Sequence, residues 1–476
     1  IASEFAKAGL KPIADGTYMQ KVPLIEYRTD RQGTSLTIDQ GGTKNTLHFP
    51  DAFGNFPHDL TISGPVIFAG YGITAPELHY DDYAGLDARG AIVLVFDHEP
   101  QENDPKSIFN GTGNTRYATS RVKLLTAQKH GAIAVLVVAE PNRKHPSNQE
   151  RAARIPRTQQ TAPAFPSQSI EGDDVGIPLF TISDQAAVDL LAPSGKKPGE
   201  LQASIDRDLH PASMAIPGTL AEMHITTGQT RRAASANVVG LIEGSDPNLK
   251  AETIVFSGHF DHNGPGANGT YFHGADDNGS GTVGVVELAH AFAKNPIKPR
   301  RSLLFVVFAA EERGLLGSYY YVQHPLRPLE TTRAVVNFDM IGRNETPSNQ
   351  TDGLIEIAPD TSNELNLVGA KYSPDYRKAV EKANSSVGLK LNYKWDDEAA
   401  LNVFFRSDQF PFVLRDIPAF WFFTGFHPDY HQVTDTVDRI NFTKMEKIVR
   451  LAYLTGFSFA DDPTPPRFIA NPAAGN

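Results

Sequence analysis

Residues 253–262 read TIVFSGHFDH, an apolar stretch that ends in two histidines and an aspartate. A compact run of β-branched and aromatic residues of this length is typical of a buried strand. Three more apolar runs are each followed closely by side chains that bind metals, at residues 303–309, 334–336 and 420–423. These strands alternate with helical patterns such as residues 279–295. The order predicts an α/β fold, a mostly parallel mixed sheet with helices on both faces.

The side chains that follow these four strands are expected to meet. In open α/β sheets, the ligand site lies outside the carboxyl ends of the strands. The residues concerned are His259, Asp276, Glu312, Asp339 and His431. Each motif alone has an ordinary explanation, such as surface polarity, a turn or the first turn of a helix. Four such motifs at four buried strand ends favour one shared site.

The donor set of this site suits two metal ions. A pair of ions about 3.5–4 Å apart needs a bridging carboxylate and terminal ligands on each side. Asp276 is the candidate bridge. His259 and Asp339 would complete one ion, and Glu312 and His431 the other.

Two further carboxylates have roles beside the ligands. Glu311 is the candidate general base, acting on a metal-bound water. Asp261 would orient His259 through the other ring nitrogen. We interpret His262, His273 and His427 as peripheral.

Composition excludes several other function classes. The chain of 476 residues has 44 Lys and Arg against 55 Asp and Glu, a formal charge of −11, which disfavours nucleic acid and anionic membranes as partners. It contains no cysteine, which excludes disulfides and thiolate chemistry. No apolar run approaches the roughly 20 residues that span a bilayer. Because the chain starts at Ile1, we expect that a leader was removed from a secreted or periplasmic protein.

The motifs together resemble metallopeptidase family 28, which holds di-zinc aminopeptidases and the glutamate carboxypeptidase group. The matching stretches are HFDH at 259–262, GADDNGSG at 274–281, EE at 311–312, NFDMIG at 337–342 and FTGFHPDYH at 423–431. Residues 62–204 contain GYG at 70–72 and DDYAGL at 81–86, which resemble a protease-associated (PA) domain. We therefore expect peptidase residues at 1–61 and 205–476, with a smaller, β-rich PA insert between them.

The resemblance implies a zinc-exopeptidase fold, two zinc ions as cofactors and peptides as substrates. It implies the ligand set given above, with Asp276 as the bridge and Asp277 joined to it by a cis peptide. It makes Glu311 the base and Tyr430 the group that stabilises the oxyanion. Arg406 would contact one end of the substrate.

The expected activity is that of an aminopeptidase, because the many acidic groups near the metals suit a free amine. The alternative is a carboxypeptidase or dipeptidase of the glutamate carboxypeptidase type, for which Arg343 and Arg406 are the available cations. A single-zinc glutaminyl cyclase shares the fold but does not require two complete ligand sets. A catalytically silent, receptor-like module would have lost ligands, and this sequence has lost none. The PA insert is expected to act as a lid.

Overall fold

The computed structural model describes residues 1–147, 150, 166–266, 269–351 and 353–472. These residues form two compact units, one of residues 1–23 with 234–472 and one of residues 24–147 with 166–233. Each unit contains a mixed β-sheet with its own hydrophobic core. None of the described helices is long and apolar enough to cross a membrane.

The described strands are β1 (Lys11–Pro12), β2 (Met19–Thr29), β3 (Ser35–Gln40), β4 (Thr43–Leu47), β5 (Ala52–Asn55), β6 (Leu60–Phe68), β7 (Thr74–Ala75), β8 (Tyr80–Asp81), β9 (Ile92–Phe96), β10 (Ala134–Val138), β11 (Ser167–Ile170), β12 (Leu179–Ile182), β13 (Met214–Ile225), β14 (Thr227–Ile242), β15 (Thr253–His259), β16 (Gly264–Pro265), β17 (Tyr271–Phe272), β18 (Ser302–Phe308), β19 (Thr332–Phe338), β20 (Glu364–Val368), β21 (Lys390–Asn392) and β22 (Ala419–Phe423). The described α-helices are α1 (Ala2–Ala8), α2 (Ser120–Lys129), α3 (Asp184–Leu191), α4 (Pro198–Asp208), α5 (Gly281–Lys294), α6 (Leu316–Gln323), α7 (Pro374–Asn384), α8 (Phe410–Val413) and α9 (Phe442–Asp461).

The sheet of the first unit runs in the order β14–β18–β15–β19–β22–β20–β21. Its four central strands, from β18 to β22, are parallel. β14 pairs antiparallel with β18 and β20 with β22, whereas β20 and β21 are parallel. Successive residues of a strand point to opposite faces. Accordingly, Leu303 and Val307 of β18 share a core cluster with α1, α5, α7 and α9. Phe308 instead packs against Tyr321 of α6 and Phe412 of α8. The predicted α/β fold class is therefore confirmed.

The second unit contains a sheet in the order β4–β3–β13–β6–β9–β10–β12–β5. Its strands β6, β9, β10 and β12 are parallel, and the outer strands are antiparallel. Apolar residues of all four parallel strands are buried, and α3 and α4 contribute to the same core. The loops after β9 and β10 leave the sheet at the same edge.

The two compact units do not coincide with the predicted domain bounds. Residues 24–61 were assigned by pattern to the peptidase part, but β3, β4 and β5 belong to the sheet of the second unit. The strand β13, which lies beyond the predicted boundary at residue 204, belongs there too. The reason is that β3 pairs with β13 and β5 with β12. Alternation of polar and apolar residues identifies a strand but not a partner far away along the chain.

Candidate metal centre

Four parallel strands bring the predicted metal-binding side chains to one edge of the first sheet. His259 is the last residue of β15, and Asp339 directly follows β19. Glu311 and Glu312 lie in a short helical turn after β18, and His431 lies in the loop after β22. Since the carboxyl ends of neighbouring parallel strands meet at the same edge, strand topology is what places these groups together.

The donor atoms form two adjacent clusters. The first contains His259, Asp277 and Asp339, and the second contains His262, Asp277, Glu312 and His431, with the donor atoms of each group within 4.8 Å of one another. Asp277 belongs to both. Its Oδ1 lies 3.5 Å from His259 Nε2, and its Oδ2 lies 3.0 Å from His431 Nε2. One carboxylate therefore faces both clusters, as a bridging ligand must.

Asp276, the predicted bridge, lies in neither cluster. Its fully buried carboxylate accepts hydrogen bonds from the backbone N–H of Gly342 at 2.7 Å and from Ser280 Oγ at 3.0 Å. Its other oxygen lies 3.1 Å from His427 Nε2. Asp276 thus ties the turn before α5 to the loop after β19, and its neighbour Asp277 points into the site. The cis peptide follows Asp277 and joins it to Asn278, one position later than predicted.

His262 was interpreted as peripheral, and the structure corrects this as well. Its Nδ1 lies 2.7 Å from Glu312 Oε1 and 3.8 Å from Asp277 Oδ2. It is therefore either a ligand of the second cluster or the group that orients Glu312. The signal available in the sequence was its place three residues after His259, in the same strand-end loop. His427 is also in use, as the buried partner of Asp276.

The first cluster passes a test of whether a metal fits. His259 Nδ1 contacts the backbone carbonyl of Asp261 at 3.1 Å, and because a carbonyl can only accept, Nδ1 carries the proton. In the neutral ring, Nε2 therefore presents a lone pair to the site. This buried nitrogen makes no hydrogen bond within the described residues, yet carboxylate oxygens of Asp277, Asp339 and Glu311 lie 3.5, 3.5 and 3.7 Å away. Ligands held at about 2.0–2.2 Å from a tetrahedral ion have a similar mutual spacing.

Asp261 supports the site differently from the prediction. Its backbone carbonyl, not its carboxylate, is the close partner of His259, since Asp261 Oδ1 lies 3.8 Å from Nδ1. The carboxylate instead accepts hydrogen bonds from the backbone N–H groups of Glu311 and Glu312, at 2.9 and 3.1 Å. Asp261 thereby fixes both the histidine ring and the turn that carries the two glutamates.

Asp435 supports the site in a way that the sequence did not signal. It accepts hydrogen bonds from the backbone N–H groups of Asp276 and Asp277, at distances between 3.0 and 3.1 Å. Asp435 lies in the loop after β22, and these hydrogen bonds fix the turn that contains Asp276 and Asp277. No motif distinguishes it from other acidic loop residues.

The pKa values of the two adjacent glutamates are shifted in opposite directions. Burial raises the pKa of Glu311 well above its usual value; His259 opposes this rise, and Asp339 and Asp408 add to it. For Glu312, burial is outweighed by His431 and His262, which hold its pKa well below its usual value. Glu312 is therefore a permanent anion suited to a cation, whereas Glu311 is a carboxyl that can accept and release a proton.

Tyr430 and Arg406 line an open cavity of about 230 Å³ beside the clusters. Arg406 Nη2 donates to the Tyr430 hydroxyl at 3.1 Å, and its guanidinium lies over the ring of Phe426. Burial raises the pKa of Tyr430 well above its usual value, with Arg406 opposing the rise, so the phenol stays protonated and can donate. Beside the acidic residues of the clusters, the wall has an apolar part formed by Leu315, Met340, Phe405, Trp421 and Phe426.

Two stretches of the chain match models of known protein families. Residues 237–455 match the model of peptidase family M28, and residues 62–190 match that of the PA domain. The probable leucine aminopeptidase 2 of Aspergillus oryzae is 32% identical over 193 residues, 40% of this chain and 33% of that protein. The probable lipoprotein aminopeptidase LpqL of Mycobacterium tuberculosis is 27% identical over 57% of this chain and 50% of its own. The chain thus spans half or less of the length of these curated relatives.

Two solved aminopeptidase structures are similar to this chain at lower sequence identity. The aminopeptidase from an Aneurinibacillus species is 18% identical, with a TM-score of 0.46 over 98% of this chain and 88% of that one. A zinc aminopeptidase from Bacillus subtilis is 19% identical, with a TM-score of 0.42 over 99% and 89% of the two chains.

Proposed function

We propose that this chain, in which residues 237–455 match the model of peptidase family M28, is a di-zinc exopeptidase that releases amino-terminal residues from peptides. The observation that carries the proposal is the position of Asp277, whose two oxygens face two separate histidines. His259 and Asp339 would hold one zinc, and Glu312 with His431 the other, beside the shared Asp277. Zinc ions in such a pair act as Lewis acids and make water acidic enough to attack a carbonyl at neutral pH.

Within this proposal, Glu311 moves the proton. Its Oε2 faces the clusters, 3.7 Å from His259 Nε2, and it is not needed as a ligand. It would take a proton from the attacking water and return it to the leaving amine. The Tyr430 hydroxyl would donate a hydrogen bond to the carbonyl oxygen as negative charge develops there, while Arg406 holds the phenol in place.

The lining of the cavity favours an amino-terminal substrate over a carboxy-terminal one. A free amine suits a wall that carries Asp277, Glu311, Glu312 and Asp339. Among the described lining residues, Arg406 is the one arginine or lysine, and it already contacts Tyr430 and Phe426. Arg343, the other cation considered, is bound to Asp429 at 2.8 Å. The apolar part of the wall suits a substrate with an apolar first side chain, and several relatives are named leucine aminopeptidases.

The proposal is tested with matched substrates. Leucine anilide, N-acetyl-leucine anilide and an N-acetyl dipeptide with a free carboxylate are assayed with chelator and after added zinc. We expect hydrolysis of the free-amine substrate alone, abolished by chelation and restored by zinc. Hydrolysis of the acetylated dipeptide alone would establish the carboxypeptidase alternative. No hydrolysis by the zinc-loaded chain would refute the exopeptidase proposal altogether.

Replacing the phenol hydroxyl is expected to slow the chemical step. Tyr430→Phe removes one donor aimed at developing negative charge, a loss of about 2.7–4 kcal/mol, or roughly 10²–10³-fold in kcat. KM should change little, because the ring and its contact with Phe426 remain. The matched control is Tyr271→Phe, an exposed tyrosine whose replacement should leave kcat unaltered. If KM instead rises by about this factor and kcat is unchanged, Tyr430 contributes to substrate binding and not to the chemical step.

We also propose that the protein works outside the cytoplasm. The support is the name of the mycobacterial relative, a probable lipoprotein aminopeptidase.

A further inference from the structure

A second group of metal-binding side chains lies within the second unit. His98 and Glu102 follow β9, and Glu140 and His145 follow β10. β9 and β10 are adjacent and parallel, so both loops start from the same edge of the sheet. This is the same topological situation that assembles the centre of the first unit. The peptidase chemistry proposed above makes no use of these four residues.

The four donor groups are spaced like the ligands of a single ion. His98 Nδ1 lies 3.0 Å from Glu140 Oε1 and 3.3 Å from Glu102 Oε1. His145 Nε2 lies 2.9 Å from Glu102 Oε2 and 3.1 Å from Glu140 Oε1. Each histidine therefore faces both carboxylates. Donor atoms about 2.0–2.2 Å from a tetrahedral ion are separated by slightly more than these distances.

Burial makes this arrangement costly without a cation. The side chains of His98, Glu102, Glu140 and His145 are only 3%, 6%, 3% and 5% exposed. Glu102 Oε1 and Glu140 Oε2 are buried and have no hydrogen-bond partner within the described residues. Glu102 Oε1 faces His98. Two buried carboxylates in one cluster are expensive unless positive charge, from histidinium or from a bound cation, compensates them.

One histidine is oriented as metal ligands usually are. His145 Nδ1 contacts the backbone carbonyl of Pro146 at 3.0 Å, so Nδ1 carries a proton and donates. Nε2 is then the nitrogen that faces Glu102 and Glu140. Metal-bound histidines typically donate their second ring N–H to a carbonyl or carboxylate in this way.

The surroundings hold the two loops and leave a route for an ion. Lys123 donates to the backbone carbonyl of His98 at 2.6 Å, and Arg143 donates to that of Glu140 at 3.2 Å. Both cations thus bind main-chain oxygens and do not pair with the carboxylates of Glu102 and Glu140. A cavity of about 340 Å³ reaches Glu102 and Glu140 and gives access from outside.

We propose that His98, Glu102, Glu140 and His145 bind one divalent transition-metal ion, with zinc as the best match. Two imidazoles and two carboxylates form a donor set that suits zinc, and calcium or magnesium would prefer oxygen ligands alone. The four protein ligands complete a tetrahedral shell, so the ion would be structural. It would join the loops after β9 and β10.

The proposal is tested by counting zinc in the full-length chain. Wild type, the double variant His98→Gln/His145→Gln and the control His210→Gln are saturated with zinc, freed of excess and analysed by mass spectrometry. His210 is an exposed histidine of the same unit. We expect the double variant to hold one zinc fewer per chain and the control to match wild type. A double variant with the wild-type zinc content overturns the proposal.

Two further variants keep the test decisive if the double variant does not fold. Glu102→Gln keeps the shape of the side chain and should weaken binding of one zinc by at least about tenfold. Asp277→Asn, which disables the peptidase centre, should still retain the zinc of the second unit. If Glu102→Gln binds zinc as tightly as wild type, the proposal is overturned, and the four residues form histidinium–carboxylate ion pairs instead of a metal site. Peptide hydrolysis is measured separately, so failure of the peptidase proposal would not be confused with failure of this one.

Discussion

The variant Glu311→Gln is expected to keep its metal and lose its activity. The amide has the size of the carboxylate but cannot accept a proton from water. General acid–base groups contribute about 10²–10⁴-fold to rate, and kcat should fall by that factor. Metal content should not change, because Glu311 belongs to neither donor cluster. The measurements are kcat on leucine anilide and zinc per chain.

Two glutamates serve as controls for this prediction. Glu312→Gln removes a member of the second cluster, so zinc and activity should be lost together. Glu330 is exposed, and Glu330→Gln should behave as wild type. Loss of zinc in Glu311→Gln would make Glu311 a ligand, and activity within a few-fold of wild type would exclude it as the base.

The site residues that can be predicted from the sequence are those at the ends of apolar strands. His259, Glu312, Asp339 and His431 each follow a recognisable apolar strand. Parallel neighbours place such ends along one edge, so local patterns were sufficient to predict that these groups meet. The same reasoning did not identify the cluster around His98, because its four residues are spread over two loops without a recognisable spacing.

The choice between two adjacent aspartates could not be made from local sequence. Both precede α5 in the same turn, and either could have faced the metals. The carboxylate of Asp276 contacts the Gly342 N–H, Ser280 and His427. Gly342 and His427 lie in loops that follow other strands. The compact units differ from the predicted domain bounds for a related reason, since β3 and β13 are far apart along the chain and pair with each other in the second sheet. Both outcomes depend on contacts formed only in the folded chain.

Asparagine substitutions at these two aspartates should have opposite effects. Asp277→Asn weakens a ligand shared by both clusters, so zinc affinity should fall by more than about 100-fold and activity should be lost. Asp276→Asn should retain both zinc ions, because its carboxylate faces Gly342, Ser280 and His427 rather than the clusters. The measurements are zinc per chain and hydrolysis of leucine anilide.

The stability of the zinc-free chain should show the reverse pattern. Asp276 accepts hydrogen bonds that involve a buried charge, and weakening them should lower the free energy of unfolding by about 1.5–3 kcal/mol. Asp277 instead lies among carboxylates: burial raises its pKa, Glu312 and Asp339 raise it further, and His431 opposes only part of this rise. Removing its charge relieves that repulsion, so the zinc-free Asp277→Asn chain should be at least as stable as wild type. Chemical unfolding in chelator measures both values. Loss of zinc in Asp276→Asn with zinc retained in Asp277→Asn would return the bridging role to Asp276.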